Sequence, residues 1–215
     1  RRRSSLSPFQ HKAANMKILA IAVMRSVEGK DPINLARVED LYCFSYFTRS
    51  TIREHLTFAL RTVAQRTKPG FRQTVGLKDI EYVCHVHVRS NGLSGIVVTD
   101  EEYPVRVAFS LITDILNKFS KEVPKWVEIT SDQPGAPKFM DVAIEKFQNP
   151  KEADKVLKIQ QTVDEIKTIM HKNIDDILKR GETLDALMDK SNDLSATSVA
   201  FFKTAKKQNQ CCKAY

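Results

Sequence analysis

The spacing of apolar and polar residues changes at about residue 150. In the first part, the apolar run KILAIAVMR at 17–25 predicts a central strand. The aromatic-rich run LYCFSYFT at 41–48 predicts a second strand, and 82–89 and 93–99 predict two more, joined by a Ser-Asn-Gly turn. Helical spacing appears over 51–67, 105–119 and 139–147. The predicted fold is α+β, with helices packed on a small antiparallel sheet.

From residue 151 the apolar positions alternate by three and four without interruption. This part has no proline, and Gly181 is its only glycine. Eleven of sixteen consecutive positions are apolar if Ala205 is counted, which is a strong coiled-coil signal. We call these sixteen positions the seam: Val156, Ile159, Val163, Ile166, Met170, Asn173, Ile177, Arg180, Leu184, Leu187, Ser191, Leu194, Ser198, Phe201, Ala205 and Gln208.

A single helix cannot bury its own seam. We therefore expect the segment of the lone chain to be largely disordered, or folded back on the N-terminal domain, until partner helices bind. Arg180 adds a second demand, because a guanidinium on a dry seam destabilises a bundle by several kcal/mol unless it is paired. A homodimer would set two Arg180 side chains against each other. A bundle with different partner helices that offer amide oxygens would instead satisfy Arg180, and this polar layer would fix the register of the helices.

Charge and motif content exclude several classes of function. The net charge is +8, but residues 1–15 and 200–215 carry four positive charges each and no acid, so the middle is nearly balanced. No basic stripe runs through the predicted fold, and we predict no nucleic-acid partner. The sequence contains no phosphate-binding loop and no nucleophile motif, so we predict neither an enzyme nor a small-molecule substrate. His85 and His87 alternate on one strand as in some zinc sites, but without a third ligand we predict no metal.

The four cysteines lie in two kinds of sequence context. Cys43 and Cys84 lie in apolar contexts and are predicted to be reduced core residues. Cys211 and Cys212 lie in a polar, basic tail, which indicates modification. No apolar run approaches the roughly 18–20 residues of a membrane span, so membrane attachment would require a lipid.

The chain resembles a known family at several places. The heptads centred on Arg180, the stretches FSYFTRSTIREHLTF (44–58) and CHVHVRSNGLSGIVVTDEEYPVRVAF (84–109), and the Cys-Cys tail resemble the lipid-anchored longin R-SNAREs, which lack a transmembrane segment. The resemblance covers about 16–212. It implies a profilin-like longin domain over 16–150, a SNARE coiled-coil helix over 151–210 and a lipid-anchor tail over 211–215. Residues 1–15 would be a disordered or non-native extension.

The resemblance also implies a function. An R-SNARE drives vesicle-membrane fusion by zippering with three glutamine-SNARE helices, and here Arg180 would donate to the three glutamines while the other seam residues form the layers. Farnesyl on Cys212, and palmitoyl or another second lipid on Cys211, would anchor the chain; no other cofactor is implied. The chain would cycle from the cytoplasm to Golgi, endosomal, vacuolar or vesicle membranes.

Two features of the resemblance leave alternatives open. Phe58 matches the surface position through which family members restrain the SNARE segment, but an ordinary core phenylalanine would read the same way, and His55 stands where an aromatic is usual. The end Lys213-Ala214-Tyr215 departs from the usual prenylation signal.

Two other classes of protein could carry such heptads. A leucine-zipper DNA binder would carry its basic region before the heptads, whereas here the lysines follow them. A coiled-coil adaptor without fusion activity is the remaining alternative, and it explains neither Arg180 nor the tail.

Overall fold

The computed structural model describes residues 17–27, 29–77, 82–150 and 169–212, the last eight of these by their helical backbone alone. Several predictions lie outside the described residues. They concern the extension at 1–15, the terminal residues 213–215, and four seam residues: Val156, Ile159, Val163 and Ile166.

Within the described residues, six strands form one sheet. The strands are β1 Ile18–Arg25, β2 Ile33–Glu39, β3 Arg72–Gly76, β4 Tyr82–Val88, β5 Leu93–Asp100 and β6 Met170–Asn173. Their order across the sheet is β2-β1-β5-β4-β3-β6, and neighbours pair antiparallel, except that β6 lies parallel to β3. The α+β fold with a mostly antiparallel sheet is therefore confirmed.

Helices cover both faces of the sheet. The described helices are α1 Arg49–Arg66, α2 Val105–Glu122, α3 Lys138–Phe147, α4 Leu184–Lys190 and α5 Ala196–Cys212. One face carries α1 and the C-terminal segment, and the other carries α2 and α3. The three helices predicted before residue 150 are confirmed to within a few residues at each end.

The central strand β1 reads as an almost continuous apolar run because both of its faces are buried. Ile21 and Val23 pack under α2 and α3, whereas Ala22 and Met24 pack under α1. On the neighbouring strand, Gly95 lets α2 approach closely, since a Cβ there would lie 2.9 Å from the Ile112 side chain. The sheet therefore separates two apolar cores.

The predicted strand at 41–48 is wrong. Those residues form a loop that ends in a short 3₁₀ turn, Tyr46–Thr48, and the second strand is β2 instead. Leu41 and Phe44 are buried three positions apart, which does not fit the period of two of a strand. The aromatic side chains between and after them are exposed: Tyr42, Tyr46 and Phe47.

The sequence pattern does not predict β3, because its buried centre is polar. Gln73 donates its side-chain N–H to the Thr67 hydroxyl at 2.6 Å. Thr74 and His85 of β4 hydrogen-bond through their side chains at 3.0 Å. Hydrogen bonds inside the fold therefore satisfy the buried polar residues of β3, and the strand lacks the apolar residues by which the sequence would reveal it.

Candidate functional site: the α1 face and the folded-back segment

The C-terminal segment lies against the N-terminal domain. β6 extends the sheet at β3, with Met170 opposite Gln73 and Asn173 opposite Gly76. A 3₁₀ turn, Ile174–Ile177, leads on to α4 and α5, which pack on the α1 side of the sheet. The lone chain therefore adopts the folded-back arrangement. It does not hold the segment as one helix, because it offers the seam no partner helices to pack against.

Arg180 lies in the turn that interrupts the seam. Its side chain is exposed, and Gly181 has a φ of +85°, a conformation that glycine adopts without strain. The Glu182 N–H donates to the Lys179 carbonyl at 3.0 Å, and the Lys179 N–H donates to the Glu182 carboxylate at 2.9 Å. The guanidinium thus stays in water, where its charge costs little.

The domain contacts a second apolar stripe, which runs beside the seam. Ile174, Met188 and Phe202 are spaced fourteen residues apart, and each follows a seam position by one residue. All three are buried in the core beneath α1, with Met188 only 1% exposed. We call these three residues the off-seam stripe.

The seam itself is only partly covered in the lone chain. Seven of the ten seam side chains that the structure describes are not buried. Those of Ala205 and Gln208, and the tail residues Cys211 and Cys212, lie on α5 beyond the described side chains. The buried ones are Ile177, Leu184 and Ser198; the partly buried ones are Met170, Leu187, Ser191, Leu194 and Phe201; the exposed ones are Asn173 and Arg180.

Phe58 lies between the domain core and the segment. It is buried in the α1 core, and it lines an apolar cavity of about 60 Å³ together with Leu184, Met188 and Phe202. Phe58 therefore belongs to the core and also faces the segment. An unfilled apolar cavity lowers the stability of a contact, so this interface is held less tightly than a fully packed core.

Polar contacts join α1 to the same segment. Arg66 pairs with Glu182 at 2.9 Å, and the Arg61 Nε lies 3.2 Å from the Asp193 carboxylate. The Glu54 carboxylate accepts the Ser195 N–H at 2.8 Å, and this bond is the main cause of a lowered pKa at Glu54. These groups hold the residues just before and just after α4 against α1.

His55 stacks on Phe202, with ring centroids 5.4 Å apart. Its Nδ1 bonds the Thr51 carbonyl at 2.8 Å, while its buried Nε2 has no hydrogen-bond partner among the described residues. Burial lowers the pKa of His55, opposed by the Thr51 carbonyl and the Glu54 charge. The interface therefore favours the neutral imidazole.

The two strand histidines do not meet a third ligand. His85 bonds the hydroxyls of Thr74 and Thr99 through its two ring nitrogens, and burial lowers its pKa to about 4. Burial likewise lowers the pKa of His87 to about 4. No group of His, Cys, Asp or Glu suited to a metal ion occurs among the described residues.

The two described cysteine side chains are free thiols. Cys84 is fully buried on β4, and burial raises its pKa to about 12. Cys43 is partly buried, and burial is also the main cause of its raised pKa. Both therefore stay as neutral thiols at neutral pH.

Sequence reasoning missed the off-seam stripe and the ion pairs. The signal for the stripe was present, since an apolar residue stands one place after the seam at three positions of fixed spacing. The ion pairs carried no such signal, because charged residues are common on every exposed helix face and only the folded chain brings Arg66 to Glu182.

Comparison with known proteins assigns both parts of the chain. The family model described as a regulated-SNARE-like (longin) domain matches residues 41–142, and the Synaptobrevin model matches residues 155–215. No helix within the described ranges is both long enough and apolar enough to cross a bilayer.

Full-length relatives agree with this assignment. The chain is 42% identical over 200 residues to Synaptobrevin homolog YKT6 of Saccharomyces cerevisiae, covering 92% of this chain and 98% of that protein. It is 45% identical to VAMP-like protein YKT61 of Arabidopsis thaliana over 199 residues, with the same coverage. The chain therefore belongs to the longin-bearing synaptobrevin homologues of the YKT6 type, a family of vesicle-trafficking R-SNAREs and not of enzymes.

Proposed function

We propose that the chain supplies the arginine-bearing helix of a four-helix bundle with three glutamine-SNARE helices. Zippering would proceed from the domain side towards the tail and draw two membranes together. Apolar burial and helix formation would provide the work, without covalent chemistry. Arg180 would donate hydrogen bonds to the three glutamine side chains at the centre of the bundle.

The observation that carries this proposal is that the lone chain covers the seam only in part. Seven of its ten described side chains are not buried in the lone chain, although most of them are apolar. An apolar stripe that the chain covers only in part, with Met170, Leu187, Leu194 and Phe201 half-buried, can bury more surface against outside helices. The exposed Arg180 at its centre requires that those helices bring acceptors with them.

We further propose that the domain restrains the segment until partners bind. The off-seam stripe, the Arg66–Glu182 pair and the Glu54–Ser195 bond support this role. These contacts use mainly residues that lie beside the seam, so they could break without altering the layers of a bundle. The cavity at Phe58 supports a restraint that partner helices are able to displace.

Membrane attachment is proposed to come from lipids on Cys211 and Cys212. One chain gives marginal binding, whereas two lipids, or one lipid and basic residues, hold stably. Lys203, Lys206 and Lys207 would each add about 1 kcal/mol near anionic lipid. Mass spectrometry of the tail from its native host tests this part, and a wholly unmodified tail would contradict it.

Replacing Arg180 tests the bundle. Arg180→Ala leaves three facing amides without their donor, at about 1–3 kcal/mol, so the assembled complex should melt earlier or shift its register. Lys179→Ala removes an adjacent exposed cation off the seam and serves as the matched control. Assembly with a glutamine-SNARE set, followed by thermal melting, measures both variants. An Arg180→Ala complex with an unchanged melting curve and register would refute the role.

A further inference from the structure

The loop between β2 and α1 displays three aromatic side chains to solvent. Tyr42 is 84% exposed, Tyr46 is 78% exposed and Phe47 is 88% exposed. They account for three of the seven large apolar residues that are exposed in the described parts of the chain, and they lie within six positions. We call residues 41–49 the aromatic loop. Such a cluster on a soluble surface marks an interaction site.

The aromatic loop is held in a fixed shape. Leu41 and Phe44 are buried and anchor it to the α1 core. The Phe44 N–H donates to the Leu41 carbonyl at 3.0 Å, and the Thr48 N–H donates to the Ser45 carbonyl at 2.9 Å. These bonds hold the exposed rings in place, so the loop loses little conformational entropy when it binds a surface.

Charge and aromatic geometry point to the same kind of surface. Arg49 is the cation next to the exposed rings, since Arg53 is paired with Glu39 at 2.8 Å and Asp40 precedes the loop. The Arg49 guanidinium lies 5.1 Å from the centre of the Tyr42 ring, and the Tyr46 and Phe47 rings meet edge to face at 5.8 Å. Aromatic rings beside cations match the headgroup level of a bilayer that contains anionic lipid.

We propose that the aromatic loop inserts into the interfacial region of an anionic lipid bilayer. Its side chains protrude almost completely, which suits a deformable surface, whereas hot spots of protein interfaces sit in well-packed pockets. This contact goes beyond the proposed function, since it requires neither a lipid on the tail nor assembly of a bundle. It would place the α1 side of the domain against the membrane.

Fluorescence of a Phe47→Trp variant tests the insertion. The natural chain has one tryptophan, Trp126, which is buried in the core on the other side of the sheet. With unlipidated full-length chain and vesicles of phosphatidylcholine and phosphatidylserine, the variant should gain blue-shifted emission that brominated lipid chains quench. The emission of the natural chain should not change. Emission from residue 47 that stays unquenched in the presence of these vesicles would overturn the proposal.

Vesicle partitioning gives the second readout. The double change Tyr46→Ser and Phe47→Ser should lower partitioning roughly tenfold, because two rings no longer enter the interface. Val142→Ser, at a 62% exposed apolar residue on α3, is the matched control and should change little. Equal partitioning of the two variants overturns the insertion. So does a serine variant that binds vesicles normally but loses glutamine-SNARE assembly or self-association, since its partner would then be a protein.

Discussion

Arg180 is tolerated in the lone chain because it is not on a buried seam there. It lies exposed in the turn at Gly181, so its charge is solvated and needs no partner. In the proposed bundle the same guanidinium would be dry, and only facing amide oxygens would keep it from destabilising the assembly. The residue thereby discriminates between partners: apolar helices alone leave it unsatisfied.

His55 makes the closed arrangement sensitive to pH. Its pKa is lowered by burial against Phe202, so release of the segment raises that pKa towards its ordinary value. The contribution of His55 to closure is therefore complete above the ordinary histidine pKa of about 6.5 and is lost as the pH falls below it. His85 and His87, with pKa values of about 4, titrate lower.

We therefore expect the closed fraction of the natural chain to fall from about pH 7.5 to 5.5, and His55→Phe to remove that slope. Energy transfer between a label on α1 and a label on α4 measures the closed fraction in both chains. The phenylalanine keeps the ring contact with Phe202, so a loss of closure at neutral pH is not expected. A pH slope that is the same in both chains would contradict the role of His55.

At the scale of elements, one segment is compatible with two arrangements. Its heptads suit a long helix, yet in the lone chain Met170–Asn173 form a strand beside β3, and α4 ends at Lys190. Local propensity does not decide between them, because a helix in a protein gains most of its stability from packing against its neighbours. The surroundings of the seam decide which arrangement forms.

Gly181 is the element boundary where this choice can be tested. Alanine at its positive φ would cost the closed turn about 1–2 kcal/mol, although nothing lies close enough to clash with a Cβ. The same alanine would favour a continuous helix by about 1 kcal/mol. Gly181→Ala should thus shift the equilibrium by roughly 2–3 kcal/mol towards the bundle and speed assembly.

The rate of complex formation with a glutamine-SNARE set, followed by circular dichroism, checks this shift. Gly181→Asn is the matched control, since asparagine tolerates positive φ better than alanine and should have a smaller effect. An alanine variant that assembles no faster than the natural chain would show that the turn does not limit opening.

The elements that sequence predicts well are those in which the apolar residues are also the residues buried in the fold. β1, α1 and α2 are examples. The loop at 41–48 is missed because its aromatic residues have high strand propensity but lie exposed, and β3 is missed because its buried residues are polar. The off-seam stripe is missed for a third reason: the stronger seam pattern masks it, and only contact with α1 gives Met188 its role.

At the scale of the whole molecule, the domain and the partner helices compete for one segment. The domain buries the off-seam stripe and part of the seam, Ile177 and Leu184, whereas a bundle would bury the whole seam. Partner helices shift the chain towards its open state only by as much as they prefer that state. Because the closed contact contains an unfilled apolar cavity, it opposes assembly only modestly. Met188 and Leu187, which are adjacent in sequence, separate the two roles.

The central claim is that partner helices release the segment from the domain. Genetically encoded labels at Gln65 and Lys190, which line the same cleft, should show high energy transfer in the lone chain and low transfer once three glutamine-SNARE helices have bound. Met188→Ala should lower transfer in the lone chain and leave bundle melting nearly unchanged, whereas Leu187→Ala should mainly weaken the bundle. Transfer that stays high in the assembled complex would contradict the account.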